Sequence, residues 1–61
     1  MLNMLTEKEA TVITDLLTLE ESGCKKARLY ARTLTDRDLA QKMGCIADRH
    51  EARFNALLAM L

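Results

Sequence analysis

The stretch Thr35-Asp36-Arg37-Asp38 decides the fold, because it is a helix start with helical sequence on both sides of it. A threonine can cap the first turn of a helix, and aspartates in that turn face the positive end of the helix dipole. An earlier start, Thr6-Glu7-Lys8-Glu9, has the form of a capping box. Apolar residues after each start recur at helical spacing. The sequence therefore predicts two helices, over residues 7–33 and 36–60.

Two long helices joined by so short a connection must run antiparallel. Steps of three and four residues trace one heptad-like stripe along each helix. The stripes are Ile13, Leu17, Glu20, Cys24, Ala27, Ala31 and Leu34 on the first helix, and Leu39, Met43, Ile46, His50, Arg53, Leu57 and Met60 on the second. Further apolar residues lie beside each stripe, and one hairpin cannot cover faces that broad.

We therefore predict an all-α chain with a single domain over residues 1–61, an antiparallel two-helix hairpin that dimerises into a four-helix bundle. Small size favours the same conclusion, because a chain below about 70–80 residues rarely builds a core worth more than ~3–5 kcal/mol. The residues expected at the dimer interface are Leu16, Leu19, Tyr30, Phe54 and Leu58.

Charge and hydropathy exclude several kinds of partner. The formal net charge is zero, which argues against a nucleic-acid binder and against attraction to anionic membranes. Residues 1–10 lack the apolar segment of a signal peptide, and the longest apolar run, Ala56–Leu61, cannot span a bilayer. We expect a cytoplasmic protein without nucleic-acid or membrane partners.

Three stripe positions are polar, namely Glu20, His50 and Arg53. A turn near residues 34 and 35 places Glu20 level with His50, and Arg53 lies one turn further on. Buried charges require partners, so we expect an ion and hydrogen-bond network that fixes the register of the bundle. The alternative is an iron or zinc site with Glu20 and His50 as ligands. Arg53 favours the network, because a guanidinium stays charged and cannot bind a metal.

The two cysteines, Cys24 and Cys45, are too few for a disulfide framework. The same turn places them at similar heights, Cys24 on the stripe and Cys45 beside it. We expect small buried thiols. A bridge between them, a redox-responsive dimer and an additional metal ligand are the alternatives.

The two glycines, Gly23 and Gly44, interrupt helices that contain no proline. Each costs up to ~1 kcal/mol relative to alanine inside a helix. We expect close approach of the two helices at both positions to compensate for this cost.

No catalytic constellation is evident. The chain has one histidine, and it lacks a Ser-His-Asp arrangement, a glycine-rich phosphate loop and a paired-carboxylate site. Basic residues near the end of the first helix are expected to form a solvated face matched to the helix dipole. They are Lys25, Lys26, Arg28 and Arg32. The chain is therefore not expected to be an enzyme or to need a cofactor.

Several stretches together resemble a known family. They are Leu5-Thr6-Glu7-Lys8-Glu9, Asp15-Leu16-Leu17 to Glu20, Lys25-Lys26 with Tyr30-Ala31, and Ala47-x-x-His50 followed by Phe54-Asn55-Ala56-Leu57-Leu58. Nearly the whole chain resembles the short ferritin-like hairpin proteins of spore-forming Firmicutes, described as spore coat F-like or rubrerythrin-like. The resemblance implies a ferritin-like half-bundle, commonly dimeric, with spore coat association and other helical coat proteins as partners for some members.

The resemblance also assigns roles to individual residues. Glu20 matches the glutamate of the first ferritin-like helix, and Tyr30 matches a family tyrosine. His50 and Arg53 fall where a metal-binding relative has Glu-x-x-His or His-x-x-His, and Ala27 stands where relatives often have an aromatic residue. Because Arg53 departs from the metal pattern, the leading hypothesis is a non-enzymatic, self-associating structural module. The alternative is a metal-binding ferritin-like protein.

Overall fold

The computed structural model describes residues 4–61, and these residues form two helices and no strand. Helix α1 spans Glu7–Thr33 and helix α2 spans Arg37–Leu58. Only residues 34–36 connect them, and the two helices pack antiparallel in a rod 46 Å long. The predicted all-α hairpin is confirmed. The absence of a signal peptide was predicted over residues 1–10, which lie partly outside the described residues.

Helix α1 begins with the predicted capping box. The Thr6 hydroxyl accepts a hydrogen bond from the Glu9 backbone N–H at 3.1 Å, and the Glu9 carboxylate accepts one from the Thr6 N–H at 3.0 Å. The Thr6 backbone N–H, and then its side chain, lower the pKa of Glu9 below its ordinary value. The helix then continues for 27 residues, or about 40 Å at 1.5 Å per residue.

Helix α2 begins one residue later than predicted, because Asp36 and not Thr35 caps it. The Asp36 carboxylate accepts a hydrogen bond from the Leu39 backbone N–H at 2.9 Å, and Asp36 itself has an extended backbone. A carboxylate at this position satisfies a free N–H and also carries negative charge at the positive end of the dipole. At the other end the helix closes at Leu58, where tighter turns replace the helical pattern.

The seam between the helices buries four of the described residues, Ile13, Leu17, Ala27 and Ala47. The three on α1 belong to the predicted stripe. On α2 the contact line is rotated from the predicted stripe, so that Ala47 is fully buried while Leu39, Arg53 and Met60 are exposed. A two-helix rod has only this one line of contact, and most apolar side chains therefore remain accessible.

The Asp36 cap gives a direct test of the hairpin connection. Asp36→Ala should lower the free energy of unfolding by about 1 kcal/mol, because it leaves the Leu39 N–H without its partner. Thr35→Ala should change it by less than about 0.5 kcal/mol, as an exposed substitution away from the cap. Urea titration followed by circular dichroism measures both values. A larger loss in Thr35→Ala would contradict the observed cap.

Candidate functional site

The structure brings together the three polar residues that the sequence groups at the middle of the seam. One Glu20 carboxylate oxygen lies 2.6 Å from His50 Nδ1, and the other lies 2.5 Å from Arg53 Nε. One carboxylate on α1 therefore holds two side chains of α2. We call Glu20, His50 and Arg53 the polar cluster.

The geometry fixes where the histidine proton lies. A separation of 2.6 Å between His50 Nδ1 and a carboxylate oxygen of Glu20 requires a hydrogen between them, since two lone pairs at that distance would repel. Nδ1 therefore donates to Glu20. Arg53 Nη2, 3.2 Å from the same nitrogen, is then a second donor held nearby by the shared carboxylate.

The members of the polar cluster differ in exposure. The Glu20 side chain is 16% exposed and that of His50 23%, whereas that of Arg53 is 54% exposed. The hydrogen bond from Arg53, and then that from His50, lower the pKa of Glu20 below its ordinary value. Glu20 therefore stays ionised at neutral pH, and Arg53 carries the positive charge of the cluster to the surface.

Gly23 makes room for the histidine ring. A Cβ atom built on Gly23 would lie 2.7 Å from both Cε1 and Nε2 of His50, which is inside van der Waals contact. A Cβ atom at Gly44 would meet nothing within 4 Å. Close approach is therefore confirmed at Gly23, whereas the same expectation for Gly44 is wrong, because Gly44 does not lie against α1.

The polar cluster offers little to a metal ion. Both oxygens of Glu20 already accept hydrogen bonds, and Arg53 stands beside them as a fixed cation. Within residues 4–61 no three or more His, Cys, Asp or Glu side chains are grouped to hold a metal ion. The predicted pair of ligands, Glu20 and His50, therefore has no third protein ligand in this hairpin.

The two cysteines lie in different surroundings and are both free thiols. Cys24 is half-buried in a cavity beside Phe54 and Glu51. Cys45 is exposed on α2 in a shallow cleft between Lys42 and Arg49. The structure does not pair them, and the expectation of buried thiols is wrong for the exposed Cys45 and holds only in part for Cys24. The redox-responsive dimer stays an alternative.

An ion-pair group that the sequence analysis missed joins the helices on one side. Arg28 Nη2 lies 3.2 Å from Asp48 and 3.4 Å from Glu51, and Lys25 lies 3.3 Å from Glu21. We call these five residues the charged face. Arg28 was expected to be only solvated. The signal was the spacing of the two α2 acids, three residues apart on the helix and therefore able to face the same α1 side chain.

The opposite side of the hairpin carries exposed apolar side chains, with the cations Lys26, Lys42, Arg49 and Arg53 between them. Leu16, Ala56 and Met60 line one cavity with Glu20 and Arg53, and helical spacing extends this surface in both directions. We call it the apolar face. Its members are Val12, Leu16, Leu19 and Tyr30 on α1 and Leu39, Ile46, Ala56 and Met60 on α2.

The predicted interface residues divide between the two sides. Leu16, Leu19 and Tyr30 belong to the apolar face and are exposed. Phe54 lines the cavity that contains Glu21 and Lys25, and Leu58 lies seven residues after Glu51 on the same side. Phe54 and Leu58 therefore do not share one surface with the other three, because the contact line on α2 is rotated from the predicted stripe.

Comparisons with known proteins identify no relative. No protein-family model matches the chain, and neither a curated protein nor a solved structure does so. The resemblance to ferritin-like hairpin proteins therefore stays a prediction. Neither of the two described helices is long and apolar enough to cross a membrane.

The two glycines give a matched pair of substitutions. Gly44→Ala should stabilise the protein by up to ~1 kcal/mol, because alanine favours the helix and meets no neighbour. Gly23→Ala should destabilise it by about 1–2 kcal/mol, because the methyl group displaces the His50 ring and overpacking outweighs the gain in helix propensity. Thermal unfolding measures both changes. Equal shifts of the melting temperature in the two variants would contradict the close contact between Gly23 and the His50 ring.

The polar cluster should make the free energy of unfolding depend on pH in the acidic range. Because the folded pKa of Glu20 lies below its ordinary value of 4.5, the ionised form favours the folded state. Its contribution is present above pH 4.5 and is lost as the pH falls through the lower, folded value. Glu20→Gln should remove this part of the acid-induced loss in the free energy of unfolding, and the part due to Glu9 should remain.

The measurement is urea titration between pH 3 and 7 at one protein concentration. Glu21→Gln is the matched control, because Glu21 makes only an exposed contact with Lys25. If Glu20→Gln and wild type lose the same free energy over this range, the carboxylate does not stabilise the fold in the way the geometry implies.

Proposed function

We propose that this protein is a self-associating helical interaction module without catalytic activity, and that two hairpins close their apolar faces against each other as a four-helix bundle. The observation that carries the proposal is the separation of the surface into an apolar face and a charged face. Arg28, Asp48 and Glu51 pair with one another on one side. Leucines such as Leu16 and Leu19 are exposed on the other.

The exposed area supports the proposal. A compact folded chain of 6.9 kDa is expected to expose about 4000 Å², whereas this chain exposes 4975 Å². The excess of roughly 1000 Å² exceeds the ~800 Å² that each partner buries in a standard protein interface. A second copy of the chain would present the same apolar face, which has the same length and the same apolar residues.

The polar cluster is compatible with the proposed dimer interface as well as with the contact between α1 and α2. Glu20 and His50 are already mostly enclosed, and Arg53 reaches the apolar face beside Leu16 and Met60. A charged group in the middle of an apolar surface disfavours partners that cannot accommodate it. In this proposal the cluster limits which helices can cover the face. Association with a spore coat, or with other helical coat proteins, is the context that the family resemblance suggests.

The proposal is tested by the mass of the protein in solution. Sedimentation equilibrium at micromolar concentration should give a dimer, and Leu19→Lys should weaken it at least about tenfold, or 1.4 kcal/mol. Leu19 lies on the apolar face and is 66% exposed, so that a dimer would bury the added charge without a partner.

Leu29→Lys is the control for this test. Leu29 is 49% exposed, but it points away from α2 and lies outside the apolar face. It should leave the dissociation constant within about twofold of wild type. A folded wild-type monomer would refute the proposal, and so would equal weakening by the two lysine substitutions.

A further inference from the structure

The charges on the apolar side are distributed unevenly between the two helices. On α2 the surface positions follow helical spacing, and three of the seven are cations; they are Leu39, Lys42, Ile46, Arg49, Arg53, Ala56 and Met60. The corresponding positions on α1 are Val12, Leu16, Leu19, Gly23, Lys26 and Tyr30. The α1 side of this surface is thus largely uncharged, while the α2 side is basic.

Most of these cations have no carboxylate nearby. Within residues 4–61, Lys42 and Arg49 form no ion pair, and Arg53 shares Glu20 with His50. The acids of α2 that do form ion pairs, Asp48 and Glu51, lie on the charged face. A partner that covers the basic side of α2 must therefore avoid placing further cations against it.

Two symmetric arrangements can bring the apolar faces of two copies together. With the twofold axis across the helices, α2 lies antiparallel to α2 of the second copy. That arrangement sets the row of Lys42, Arg49 and Arg53 against itself, and like charges in an interface are costly. With the twofold axis along the helices, α1 lies antiparallel to α2 of the second copy, and the basic row meets a row in which only Lys26 is charged.

The position of each residue along the hairpin axis, which we call its level, shows which residues of the two copies would then meet. Within one hairpin, Leu16 and Ala56 line one cavity, and Gly23 lies against His50. An axis along the helices preserves these levels between copies. Leu16 would face the second copy's Ala56, so that a large side chain meets a small one. The second copy's Arg49 would lie at the level of Gly23, where the His50 ring covers the glycine.

We propose that the two copies are related by a twofold axis along the helices, so that Arg49 of the second copy lies against the His50 ring at the level of Gly23 and contacts the Glu20 carboxylate. This inference rests on the proposed self-association. Glu20 lines the cavity on the apolar face together with Leu16 and Ala56, so its carboxylate can be reached from that side. A carboxylate has about four lone-pair sites, and Glu20 uses two of them for His50 and Arg53. The polar cluster of each copy is thus completed by the other copy.

Mixed cross-linking tests the arrangement in the full chain. In a Cys24→Ser/Cys45→Ser background, Leu16→Cys protein is mixed with isotope-labelled Ala56→Cys protein and oxidised. Because each chain carries one thiol, any mixed disulfide joins two copies. We expect the mixed disulfide to exceed both like-with-like products, and the mass spectrum identifies it through the label.

A second mixture reports the other arrangement. Leu16→Cys with Lys26→Cys would cross-link if α1 lay antiparallel to α1 with the two rows centred on each other, since these residues are equally far from the middle of the row that runs from Val12 to Tyr30. Dominance of this product in a dimeric protein would overturn the inference and leave the proposed function standing. A monomeric wild-type protein would overturn both.

The role of Arg49 has its own readout. Arg49→Glu should raise the dissociation constant of the dimer about tenfold or more, because it sets a second carboxylate beside Glu20. Arg37→Glu, a cation removed at the first turn of α2 and away from the apolar face, should leave it within about twofold. Equal effects of the two substitutions would overturn the proposed contact.

Discussion

Two helices packed side by side share a single line of contact, and every other surface of both helices faces outward. The hairpin lies under this constraint, which is why its core consists of Ile13, Leu17, Ala27 and Ala47 alone among the described residues. Apolar burial on this scale stabilises a fold only weakly. Many of the remaining apolar side chains are exposed, and those of the apolar face are the ones that the proposed second copy would cover.

The polar cluster occupies the height at which a larger bundle would have the middle of its core. In the isolated hairpin its cost is modest, because Arg53 still reaches solvent. Covering the apolar face would remove that water and leave Glu20 as the main counter-charge. The same three residues that fix the register of α1 against α2 would then decide which surfaces can approach. Under the proposed self-association, both the stability of the hairpin and the choice of partner would depend on the Glu20 carboxylate.

Much of this structure could be predicted from the sequence. The capping box at Thr6 and the long helical periodicity locate α1, and the polar positions on the stripes bring Glu20 and His50 to one level. The side of α2 that faces α1 could not be predicted, because Ile46 and Ala47 both continue an apolar stripe and only packing chooses between them. Because Ala47 faces α1, Arg53 is exposed. For the same reason Phe54 and Leu58 lie on the other side of the hairpin from Leu16 and Leu19.

The contact between Gly23 and the ring of His50 also constrains how this sequence can change. A side chain at position 23 is acceptable only after the ring at position 50 has gone, and a smaller residue at position 50 leaves a gap that only a larger residue at position 23 fills. The order of substitutions therefore matters, since one order passes through an overpacked seam and the other through a cavity. The two positions form a single unit of variation, because they are 27 residues apart in the sequence but in contact in space.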